Sequence, residues 1–123
     1  ADLFLDTLPY NAHTTASDAL WAGLPVLTCI GNSFAGRVAA SLLKAAGLPE
    51  LITTTDTAYE DLAVELASQP QRLGGIKQTL SRHRLSAPLF NTALFTTDIE
   101  RAYRRMFERL HDGLPPTDIA VDP

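Results

Sequence analysis

A single cysteine, Cys29, in 123 residues rules out an internal disulfide framework and fits a reducing, cytoplasmic compartment. It lies in the apolar run Val26-Leu27-Thr28-Cys29-Ile30 with no electropositive neighbour, so it reads as an inert buried thiol. Positive charge is also scarce. Ten Lys and Arg against fourteen Asp and Glu leave a net charge of −4, which argues against nucleic acid or an anionic membrane as partner. The cluster Arg82-His83-Arg84 reads as a solvated helix face. No apolar run approaches the roughly 20 residues that span a bilayer. An N-terminus with Asp2 and Asp6 and no early Lys or Arg is no signal peptide. No His, Cys and carboxylate group has metal-site spacing, and His83 and His111 read as lone surface residues. Neither a Gly-x-Ser-x-Gly elbow nor a Ser/His/Asp ordering marks a hydrolase. Repeats and low-complexity tracts are absent.

What is present is an ordinary globular composition, 46% hydrophobic and 20% charged, in one domain's length of chain. Strand-like runs at Leu3–Asp6, Pro25–Ile30 and Leu51–Thr53 each precede helical material. A first helix is predicted from about Thr15 to Ala22, ending at Gly23 with Pro25 beyond. A second opens after Gly31-Asn32-Ser33, carries Val38, Ala39, Leu42, Leu43 and Ala46 on one face, and ends at Gly47. Thr57 with Glu60 reads as the capping box of a third helix. A fourth follows Pro70, weakened by Gly74 and Gly75 at roughly 1 kcal/mol each. Ser86–Asn91 breaks the pattern before a last helix, for which Thr97 and Glu100 read as a capping box. Its apolar stripe is Ile99, Tyr103, Met106, Phe107 and Leu110, and it ends near Gly113. The expected organisation is a domain over 1–113 and a loosely ordered tail over 114–123.

Strands alternating with helices imply parallel βαβ units. The fold class is α/β: a partial Rossmann-like parallel sheet of about three strands with flanking helices, half of a doubly wound domain. With no initiator Met and a strand at its very start, the sequence reads as a piece of something longer. The exposed edges of so small a sheet leave room for pairing with a second copy.

The segment Asn11-Ala12-His13-Thr14-Thr15-Ala16-Ser17-Asp18 leaves the first strand and opens the first helix. A helix start offers unpaired backbone N–H groups and the positive end of the macrodipole, which suit a phosphate. His13 can hold a phosphate oxygen through its backbone or its ring, or be a plain loop histidine. Thr14 and Thr15 are ordinary N-cap choices. Asp18, three residues after Thr15, favours the helix dipole, completes a cap-like arrangement, or receives ligand hydroxyls. At contact a carboxylate repels a phosphate charge by about 1 kcal/mol or more, so a ligand role needs it turned toward hydroxyls. Asp6 reads as a turn-forming carboxylate, and Trp21 as core or interface between half-domains.

The pieces Leu5-Asp6-Thr7, His13-Thr14-Thr15 with Asp18, and Leu20-Trp21-Ala22-Gly23 carry a resemblance, together with Arg37-Val38-Ala39-Ala40-Ser41, Tyr59-Glu60-Asp61 and Pro88-Leu89-Phe90-Asn91-Thr92. In this order, over nearly the whole chain, they resemble the C-terminal catalytic region of O-linked N-acetylglucosamine transferases. The bacterial relatives with tetratricopeptide repeats, glycosyltransferase family 41, are included. The resemblance implies a GT-B enzyme whose C-terminal Rossmann-like half binds the nucleotide sugar. It implies transfer of N-acetylglucosamine from UDP to Ser or Thr hydroxyls of a protein acceptor, with inversion. His13, Thr14 and Thr15 would contact the pyrophosphate, Asp18 the ribose hydroxyls, and Tyr10 would lie by the sugar's N-acetyl group. Two positions depart from the mammalian-type pattern. Tyr10 stands where that pattern has a small thiol residue, and Ala12 where it has glycine. A bulky phenol reshapes the sugar pocket, so a different UDP-sugar stays open.

The resemblance also places the cation that neutralises the leaving diphosphate, the uracil-clasping groups and the acceptor face upstream. No Lys or Arg is local to His13, and Arg37 is a distant candidate. No catalytic residue, metal or cofactor is therefore assigned to this chain. It is expected to be a donor-binding half-site without turnover of its own, partnered by the upstream catalytic remainder and tetratricopeptide repeats. The rival from another class is a non-catalytic α/β interaction module using the Trp21 or Tyr103–Met106 surfaces.

Overall fold

The computed structural model describes residues 1–121. Asp122 and Pro123, the end of the expected tail, lie outside the described residues. Two compact units are present, residues 1–90 and 91–123.

The first unit is built on three parallel strands, β1 (Phe4–Leu5), β2 (Val26–Cys29) and β3 (Ile52–Thr53), in the order β1-β2-β3. The register pairs Phe4 with Val26 and Cys29 with Thr53. All four residues of β2 are buried. Successive side chains on a strand point to opposite faces, so the central strand is covered on both, as its unbroken apolar run implied. Helices α1 (Thr14–Trp21), α2 (Val38–Ala45), α3 (Asp56–Ser68) and α4 (Pro70–His83) surround the sheet. The core joins Leu20 of α1, Val26 of β2, Leu43 of α2, Leu66 of α3 and Leu80 of α4 with Leu51 before β3. This is the expected α/β arrangement, with short 3-10 turns added at Pro49–Leu51 and Pro88–Phe90.

The helix ends follow the glycines. Gly23 and Gly47 adopt φ of +83° and +76°, a region that costs other L-residues free energy. Past Gly23 the Leu24 amide donates to Ala19 O at 2.8 Å, and past Gly47 the Leu48 amide donates to Leu43 O at 2.9 Å. Both pair the last carbonyls that a helix otherwise leaves unsatisfied.

The helix starts differ from expectation. Thr55, not Thr57, caps α3. It is extended, and its Oγ1 accepts the Ala58 amide at 3.1 Å. The chain turns into the helix just two residues past β3, so Thr57 already lies in the first turn. In the second unit α5 runs over Thr92–His111 with Asn91 as its cap, Asn91 Oδ1 accepting the Leu94 amide at 3.0 Å. Thr97 is interior, and its hydroxyl donates to Ala93 O. No residue of α5 is buried, and Tyr103, Met106, Phe107 and Leu110 are exposed. Residues 114–121 form no helix or strand, and Arg109 Nη2 donates to Pro115 O at 2.6 Å. Trp21, read as core or interface, is 49% exposed. It meets Phe90 edge-on at 5.0 Å with the Arg84 guanidinium 5.2 Å from its ring centre.

Candidate functional site

Helix α1 begins at the carboxyl end of β1 after a loop spanning residues 6–13, and one buried side chain organises that loop. Asp6 is 5% exposed. Its Oδ1 accepts the amides of Thr7 at 2.8 Å and Ala12 at 2.7 Å, and its Oδ2 accepts the Thr28 hydroxyl at 2.6 Å. Its carbonyl accepts the Tyr59 hydroxyl at 2.9 Å. A buried carboxylate is costly unless its lone pairs are used, and here three donors from the loop and from β2 use them. Asp6 is thus the turn-forming carboxylate the sequence suggested, with a longer reach. Burial first, then the nearby Asp6 charge and Cys29, push the Tyr59 phenol above its ordinary range.

The loop delivers four of the five predicted residues together. His13 is the N-cap residue of α1 yet makes no side-chain cap, and Thr14 and Thr15 follow it, both exposed. The first intrahelical bond runs from the Ser17 amide to His13 O at 3.1 Å, so the amides of Thr14, Thr15 and Ala16 head the helix with no partner within it. Neither threonine is the cap, although both are residue types that cap well. Tyr10 stacks on His13 with ring centres 4.9 Å apart and an interplanar angle of 18°. The fifth residue, Asp18, is exposed and sits in the second turn. It lies about 6 Å along the axis from Thr14 at 1.5 Å per residue. With His13 at the cap, Asp18 is too far along to complete a capping box or to act on the dipole of the first turn. Its place one turn beyond the helix head sets it beside the free amides rather than among them.

Ala12 needs no glycine, because no described non-glycine residue has positive φ. Two polar atoms on the loop are buried without partners, His13 Nε2 and Asn11 Oδ1. Asn11 is 1% exposed, its Nδ2 donating to Thr7 O. Sequence reasoning quoted Asn11 but gave it no role; an amide beside a helix start was the available signal. It also gave no role to Phe34, which reaches His13 from the loop between β2 and α2, edge-on at 6.2 Å and 87°. Nothing local in the sequence pointed there.

Arg37, the distant cation candidate, is exposed and precedes α2 as its N-cap residue. A cleft of about 510 Å³ also opens at the carboxyl ends of the strands, between Leu8, Pro9, Asn32, Ser33, Thr54 and Asp56. Its lining holds no Lys or Arg and includes none of the five predicted residues. Among the described residues no His, Cys and carboxylate group could hold a metal ion, and no helix is long and apolar enough to cross a membrane.

Comparison with known proteins agrees with this fold. A solved O-GlcNAc transferase of Thermobaculum terrenum, a K341M mutant, superposes with a TM-score of 0.80 at 43% identity, over 85% of this chain and 20% of that one. A Petunia hybrida SPINDLY protein, named as a probable UDP-N-acetylglucosamine–peptide N-acetylglucosaminyltransferase, is 37% identical over 94% of this chain. A Caenorhabditis elegans UDP-N-acetylglucosamine–peptide N-acetylglucosaminyltransferase is also 37% identical over 94% of it. The chain spans 12% and 10% of the length of these two relatives. The parallel sheet and the loop entering α1 thus come with a sequence whose residues 1–99 match the pattern of glycosyl transferase family 41, and the chain belongs to that family.

Proposed function

We propose that this chain is the donor-binding part of a UDP-sugar-dependent protein O-glycosyltransferase. The observation that carries the reading is the uncapped start of α1 at the carboxyl end of β1, with His13 at its head and Asp18 one turn along. In this reading the diphosphate accepts hydrogen bonds from the amides of Thr14, Thr15 and Ala16, aided by the helix dipole. His13, at the cap position, contacts a phosphate oxygen through its backbone or its ring. Asp18 accepts hydrogen bonds from the ribose hydroxyls. The donor is held without a metal ion or other cofactor. Charge developing on the leaving UDP would be stabilised by these oriented donors, with a cation supplied from elsewhere in the enzyme. The acceptor is a peptide, as the names of the relatives suggest, and the sugar goes onto its Ser or Thr hydroxyls. Cytoplasmic placement, tetratricopeptide repeats and an upstream catalytic remainder belong to the same proposal.

The sugar is N-acetylglucosamine by analogy with those names. Tyr10, 64% exposed and stacked on His13, leaves a second reading in which a smaller UDP-hexose is preferred. Comparing UDP-N-acetylglucosamine with UDP-glucose in binding to this chain separates the two.

Calorimetry with UDP tests the ribose role. Removing a charged acceptor costs about 1.5–3 kcal/mol, so Asp18→Ala should weaken UDP at least tenfold with the melting temperature unchanged. Equal affinity for the variant would contradict it. A stable dimer indifferent to every nucleotide would favour the interaction module instead.

A further inference from the structure

Phe34 is 76% exposed, yet its backbone is closely held. The loop carrying it closes on itself where the Gly31 amide donates to Gly36 O at 2.7 Å and the Gly36 amide to Ser33 Oγ at 3.0 Å. It is fastened to the site loop where the Asn11 amide donates to Ala35 O at 3.1 Å. The backbones approach so closely at Gly36 that an added Cβ would meet Pro9 O at 3.1 Å. This anchored loop presents Phe34 edge-on to His13, whose ring lies stacked on Tyr10. Edge-to-face and stacked contacts are the two favoured aromatic geometries, and together they limit rotation of the imidazole. The contacts hold the ring with Nε2 buried and unpartnered, a placement that costs free energy on its own.

We propose that Phe34 is a positioning residue of the donor site, holding the His13 ring against Tyr10 at the head of α1 before the donor arrives. The inference rests on the donor reading above. Pre-set orientation raises affinity because ordering the side chain is not left to the binding step. The contact Phe34 makes at the site is with His13, so its effect runs through the imidazole.

The test measures UDP affinity of this chain by titration, together with the His13 ring resonances by NMR. The variants are Phe34→Ala, Phe34→Leu and Phe34→Tyr, with Phe95→Ala as an exposed control on α5. The expected result is a three- to tenfold weaker UDP affinity for Phe34→Ala, with a native amide spectrum and His13 ring signals moved toward free-imidazole positions. Phe34→Leu should be similarly weak, Phe34→Tyr should restore both affinity and ring shifts, and Phe95→Ala should change neither. Affinity within twofold of wild type for Phe34→Ala would overturn the proposal, as would failure of Phe34→Tyr to restore it. Wild-type chain that binds no UDP would overturn the donor reading itself, and this inference with it.

Discussion

Asp6 and Tyr59 show at the residue scale how the site loop is held. Asp6 accepts bonds from residues six and 22 positions away, so removing its carboxylate strands buried donors in two elements. Asp6→Ala should destabilise the chain by about 2–4 kcal/mol, read as a shift in the urea midpoint. A loss under 1 kcal/mol would mean the loop is fastened otherwise. The Tyr59 phenol donates to Asp6 O, and its pKa is raised, first by burial and then by the charge of Asp6. A raised folded-state pKa contributes stability that is fully present below the unfolded value near 10 and lost as pH rises through the folded value. Stability should therefore fall with pH above about 10. Tyr59→Phe should be less stable at neutral pH by about 1 kcal/mol and show a smaller alkaline slope. An unchanged slope would remove Tyr59 as its source. Asp6 was readable as a turn residue, but its bond to Thr28 depends on two strands meeting, which no local pattern encodes.

Elements were legible where one residue type does one physical job. Gly23 and Gly47 end their helices because the chain there needs positive φ, and few residues other than glycine supply it. Helix starts were less legible because several residues near each start can cap. Thr55 and Thr57 compete at the start of α3, and Asn91, Thr92 and Thr97 before and within α5; the geometry of the entering chain decides. Asn91→Ala should cost the second unit about 1 kcal/mol, seen as faster amide exchange in the first turn of α5, whereas Thr97→Ala should leave that turn unchanged. The reverse pattern would restore Thr97 as the cap. The close approach at Gly36 gives a further expectation. Gly36→Ala must push the loop away from Pro9 O, costing about 1–3 kcal/mol and moving the Tyr10 and His13 resonances. An undisturbed site would mean the two loops are not coupled.

For the whole molecule, alternation of strands and helices was enough to imply a parallel α/β sheet, because a crossover helix is the usual way to join parallel neighbours. The same alternation could not say what lies against the apolar stripe of α5, whose Tyr103, Phe107 and Leu110 are exposed. Periodicity reports that a face is apolar, not what covers it. The site was legible in part for a related reason. A helix start after a strand is a local feature, so His13, Thr14 and Thr15 could be read as neighbours, while the approach of Phe34 required the fold.

The central claim is that the start of α1 holds the diphosphate of a uridine nucleotide. The most direct measurement is a residue-resolved NMR titration of this chain with UDP, with ADP as control. The account predicts shifts centred on Tyr10–Asp18, with Phe34 moving alongside His13, and a stronger response to UDP than to ADP. A well-dispersed spectrum that does not move at millimolar UDP, or moves equally for both nucleotides at residues away from α1, would contradict it.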